Sequence, residues 1–162
     1  MLKKILIALL IILIVIQFIH PSRNEAKGEQ ANTISKEFNI PAGVKTILDK
    51  GCNDCHSNNT RYPWYSKVQP VDWWMTHHVN EGKRELNFDE FTTYNLRRQY
   101  HKLEEIAEEV KEGAMPLNSY TWIHKDAILT AGEKDSLVNW ADGLRAEMRT
   151  KYPIDSLERK KN

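Results

Sequence analysis

The chain has 162 residues, with 23 Lys and Arg against 22 Asp and Glu and a formal charge of +1. That length allows one ordinary domain and a short appendage, and the balanced charge gives no basic footprint, so no nucleic-acid partner is expected. Only two cysteines are present, so any chemistry they carry belongs to a single pair.

Met1 to Lys4 is short and basic, and Ile5 to Ile19 is apolar except for Gln17. This is the pattern of a charged n-region followed by an apolar h-region. No small-x-small cleavage site follows in Phe18-Ile19-His20-Pro21, so residues 1–20 read as an uncleaved signal anchor, a transmembrane helix, in preference to a cleaved leader. The run is short: fifteen residues at ~1.5 Å each cover ~22 Å of a ~30 Å hydrocarbon core. Leu2 and snorkelling of Lys3 and Lys4 are expected to extend it. Basic residues before the span orient its N-terminus inwards. The expectation is therefore a single-pass protein of the inner (cytoplasmic) membrane with its C-terminal domain facing the periplasm. Residues 21–40 are polar and without periodicity, which predicts a tether.

Residues 41–150 carry apolar side chains at helical spacing and no alternating runs of Val, Ile or Thr, so an all-α domain is expected. Pro41 suits a first helical position, with Val44, Ile47 and Leu48 as the buried stripe and Gly51 as the exit. A second helix should run from Pro70 to about Gly82 and a third from about Glu90 to Lys111. Gly113 should end the third. Thr130 with Glu133 three residues later predicts a capping box opening the last helix. Lys151-Tyr152-Pro153 should close it. Residues 151–162 read as a disordered basic tail. Each Trp, Tyr and Phe is taken first as core filler, and the run of Glu on the third helix as a solvated face.

Cys52-Asn53-Asp54-Cys55-His56 reads C-x-x-C-H, the attachment sequence of a c-type haem. Two thioether bonds tie the porphyrin to the cysteines, and the histidine that follows is the proximal iron ligand. Three other readings compete: a structural disulfide or redox pair, half of a zinc site, and chance. Zinc wants four ligands, and no second C-x-x-C is present. Export fits the haem and the disulfide readings alike, because both belong to an oxidising compartment.

The sixth iron ligand separates electron transfer from gas binding. Met115 is the first candidate, because it follows a helix end and Pro116 stiffens its loop. A thioether ligand also raises the potential. The alternatives are His78, His77, His124 and His101. His77 and His78 are adjacent on a helix, so at most one reaches a given iron.

The helix before the motif, Cys52 to His56, Met115-Pro116, Leu129-Thr130 and a final helix with Trp140 together resemble class I cytochrome c. Residues 41–148 are more closely similar to the small membrane-anchored haem-binding-domain proteins of Gram-negative bacteria. The stretches that carry this are residues 52–65, His78-Val79 with Glu81-Gly82, Leu86-Asn87-Phe88, and Met115-Pro116 with Tyr120. The resemblance implies a cytochrome c-like helical domain around one covalent haem c, with Cys52 and Cys55 bonded to it and His56 proximal. The expected function is single-electron transfer with redox partner proteins of the periplasm or inner membrane, and no enzymatic activity. The alternatives are a haem-based sensor or binder of a diatomic gas and a haem-free thiol-disulfide protein.

Overall fold

A computed structural model describes residues 1–158. Eight α-helices follow one another with no strand among the described residues: α1 (Leu2–Ile16), α2 (Ala42–Gly51), α3 (Asn53–His56), α4 (Val71–Glu85), α5 (Leu96–Glu112), α6 (Asn118–Thr121), α7 (Ala131–Lys151) and α8 (Ile154–Leu157). The long helices α5 and α7 pack against each other and form the spine. Helix α2 lies on α7, and α3 on α4. The core between them is built on Tyr100, Leu103, Leu137 and Met148, each at most 2% exposed.

Helix ends follow local chemistry. Pro41 is the N-cap residue of α2, one position earlier than expected. Asn95 caps α5 by accepting from the Arg98 amide, so the helix starts later than its apolar pattern suggested. Residues Phe88–Thr93 form a separate 3-10 helix, with the Asn87 side chain accepting from the Asp89 amide. Gly113 terminates α5 in the left-handed region at φ 75°. Thr130 and Glu133 form the full capping box of α7.

The expected transmembrane anchor is overturned. Helix α1 is 15 residues long, and among the described residues no helix is long and apolar enough to cross a membrane. The physical reason lies at its end. Gln17 exchanges hydrogen bonds with the Gln69 backbone at 3.2 and 3.0 Å, and the Ile19 carbonyl accepts from Gln69 Nε2 and Trp73 Nε1. The residues after Ile16 are committed to the domain and do not extend the helix. The expected single-pass inner-membrane placement loses its support with the anchor.

Residues 21–40 are not a tether but a strap laid on the domain. Ile34 and Phe38 are 1% and 3% exposed and belong to the main core. Asn24 donates to the Ser57 carbonyl and the Thr60 hydroxyl. Glu25 pairs with Asn59 in an isolated antiparallel bridge. His20 Nδ1 lies 2.8 Å and Arg23 3.4 Å from the fully buried Asp72 carboxylate. The expected tail is also partly structured: α8 packs against α5 and buries Leu157. Residues 159–162 of that tail lie outside the described residues.

Candidate functional site

Helix α2 ends at Gly51 and the chain turns at once into α3, so Cys52 is both the C-cap of one helix and the N-cap of the next. Two close approaches fix this corner. A Cβ at Gly51 would stand 3.2 Å from the Pro116 ring, so the Met115–Pro116 turn lies directly on the end of α2. A Cβ at Gly82 would stand 2.7 Å from the Cys55 carbonyl oxygen and 2.9 Å from its Cβ. Gly82 is therefore not the end of α4, as its identity suggested, but the point where α4 touches α3.

A cavity of roughly 360 Å3 opens beside this corner, within the usual range for small-molecule and cofactor sites. Cys52, Cys55, His56, Met115 and His78 all line it. Its apolar wall comes from α2, α5 and α7 through Leu48, Ile106, Val110 and Leu137, together with Leu86 and Phe88. Glu81, Glu85, Glu105 and Glu109 line it with Lys102 as the cation among them. Lys102 Nζ is 2.5 Å from Glu105.

Both cysteines are free thiols. Burial pushes Cys52 up to about 12, with Cys55 adding to it. Burial also pushes Cys55 up to about 11, helped by the Asp54 charge. Both therefore remain protonated near neutral pH, which slows disulfide formation, since the thiolate is the nucleophile. Burial pulls the His56 imidazole below its ordinary value, against the raising effect of the Leu86 and Gly82 backbone groups. Burial thus favours the neutral ring, and its Nδ1–H donates to the Leu86 carbonyl at 3.0 Å. That bond fixes the tautomer and leaves Nε2 with a free lone pair, the form a metal ligand requires. Phe88 packs edge-on against the ring at 6.4 Å.

The residues fit a haem. Two neutral thiols one helical turn apart, an imidazole with its outer nitrogen free and a thioether line one largely apolar cavity. Among the described residues, no group of three or more His, Cys, Asp or Glu side chains is placed to hold a metal ion by itself.

The other histidines are dispersed. His77 is exposed, beside His78 on α4 but outside the cavity lining. His101 pairs with Glu104 and Glu105 on the outer face of α5. His124 stacks on Tyr120 at 4.3 Å and shares a 2.8 Å hydrogen bond with the Tyr65 hydroxyl. Only His78 remains as a geometric rival to Met115. The aromatic expectation needs correction too: of the tryptophans only Trp140 is buried, whereas Trp64, Trp73, Trp74 and Trp122 are exposed.

Asp54, Arg61 and Tyr120 carry a network that sequence reasoning missed. Asp54 is buried and accepts from the Arg61 amide and guanidinium and from the Tyr120 hydroxyl. Tyr120 also lines the cavity. No local spacing links these positions. Asp54 sits in the variable part of the motif, and its partners are 7 and 66 residues away.

Residues 11–143, well over half of the chain, match the family described as a haem-binding domain. No curated protein and no solved structure gives a significant match.

Proposed function

We propose, from the premise that this chain belongs to the haem-binding domain family, that it is a monohaem c-type cytochrome that passes single electrons between redox proteins. The observation that carries this reading is the shared cavity: Cys52, Cys55, His56 and Met115 line one largely apolar space. When bound, the haem supplies reversible one-electron chemistry. Cys52 and Cys55 are the residues to hold it covalently, and His56 and Met115 the residues to ligate its iron.

The remaining residues orient and shield. The Leu86 carbonyl holds the His56 ring and makes its Nε2 a better donor. Leu48, Ile106, Val110 and Leu137 keep water from one side of the cavity. A thioether ligand would raise the reduction potential, while the Glu81, Glu85, Glu105 and Glu109 carboxyls that line the same cavity would favour the oxidised state. No residue is assigned a group-transfer or proton-transfer role.

The test is the absorption spectrum of the purified, haem-loaded protein. A ferric near-infrared charge-transfer band that disappears in Met115→Ala supports the carrier. A five-coordinate ferrous state that takes up carbon monoxide at once overturns it in favour of a gas binder. A spectrum unchanged in Met115→Ala but altered in His78→Ala would move the sixth ligand to α4.

A further inference from the structure

Met115 stands in a stretch with no long helix of its own. It follows the left-handed Gly113, and both the Ala114 and Met115 amides donate to the Glu109 carbonyl at the end of α5. After Pro116 comes the four-residue helix α6, then a turn through His124. So short a helix has little stability of its own. Its position must come from tertiary contacts.

Two polar contacts tie this stretch to the rest of the domain, the first of them to the corner that carries the cysteines. The Tyr120 hydroxyl donates to Asp54 Oδ2 at 2.6 Å. Four residues on, His124 shares a hydrogen bond with Tyr65, and its ring stacks on Tyr120 at an interplanar angle of 12°. Asp54 is itself held rigidly: the Arg61 amide and Nε reach Oδ1 at 3.0 and 3.1 Å, and an Arg61 terminal nitrogen reaches Oδ2 at 3.2 Å. The Thr60 hydroxyl binds the Asp54 carbonyl at 2.6 Å. The carboxylate that lies between Cys52 and Cys55 in sequence is thus the clamp that α6 closes onto.

We infer that Asp54 and Tyr120 are positioning residues: the bond between them holds the Met115–Pro116 turn against the cavity and so governs how readily Met115 gives way to an outside ligand. This rests on the reading of Met115 as an iron ligand, and it places that control on the residues between the two cysteines. A hydrogen bond to a charged acceptor, once removed, loosens a local element by about tenfold or more in its opening equilibrium.

Tyr120→Phe, which removes only the hydroxyl, is compared with Asp54→Asn and with the double variant. In the full chain as purified, amide hydrogen exchange is read at Met115, Trp122 and His124, with the α7 amides as the internal reference. The expected result is exchange about tenfold faster in that stretch for Tyr120→Phe, with α7 unchanged and the double variant no faster than the more affected single one. In the haem-loaded chain, carbon monoxide should bind the ferrous form about tenfold faster in Tyr120→Phe, with the near-infrared band weakened. Wild-type exchange and wild-type carbon monoxide binding in both single variants would overturn the inference. The two arms separate the claims. Faster exchange in a chain that never takes up haem would sustain the clamp and remove the cytochrome reading. Unchanged exchange in a chain that carries haem would do the reverse.

Discussion

A methyl group at Gly82 would meet both the carbonyl oxygen and the Cβ of Cys55, which are parts of the attachment turn that cannot swing aside as a flexible side chain can. Gly82→Ala is expected to push α4 off α3 and to cost about 1–3 kcal/mol, the usual range for overpacking. A urea unfolding midpoint equal to wild type would show that the contact is slack. A second single-residue effect concerns acid. The Lys50 ammonium, then the Thr130 backbone amide, hold the Glu133 carboxyl down at about 2, against 4.5 for the free side chain. The unfolded chain therefore binds this proton more readily than the folded one. The Glu133 contribution to stability is complete above about 4.5 and is lost as pH falls towards 2. Glu133→Gln should flatten that part of the stability profile, and an unchanged acid limb would contradict the assignment. Cys52, Cys55 and His56 were legible as a set because C-x-x-C-H is a local pattern, and all three line the cavity. Asp54, Tyr120 and the Leu86 carbonyl were not, because their roles arise only when distant segments meet.

Among the elements, the strap over residues 21–40 departs furthest from its sequence pattern. Its composition is that of a linker, yet Ile34, which opens a 3-10 turn, and Phe38, four residues on, reach the core. Ile34, Phe38 and Ile40 in an otherwise polar stretch give no helical periodicity to detect, and the partners that bury them lie far along the chain, as Phe91 does for Phe38 at 6.2 Å. Phe38→Ala should cost about 3–5 kcal/mol if the strap is part of the core, and close to nothing if it is a tether. Thermal unfolding distinguishes these outcomes. Helix α7 shows the opposite case. Its start was readable because a capping box is a local pattern, and Thr130→Ala should cost about 1 kcal/mol. Helix α5 lies between the two: its apolar face was visible, but its beginning was blurred by Phe88, Phe91 and Tyr94, which belong to a separate 3-10 turn and its exit.

Across the molecule, the described residues form an all-helical body with a largely apolar cavity beside the C-x-x-C-H corner, and the sequence pattern of the core helices anticipated that body. The anchor was not a sound expectation, since hydropathy alone does not show that Gln17 is engaged by Gln69 and His20 by Asp72 at the start of α4. Most of the tryptophans were misplaced for a related reason: an aromatic residue satisfies a core and a surface pattern equally well, and only Trp140, whose indole donates to the Asn39 carbonyl, is held inside. The central claim is that this cavity holds one haem bonded to the chain. The most direct test is the mass of the protein under denaturing conditions after expression with haem-attachment machinery. The account predicts a chain heavier by one haem, with the addition resisting denaturant and acid extraction and lost in the Cys52→Ser, Cys55→Ser double variant. A wild-type chain at its bare sequence mass, with no haem stain, would contradict it.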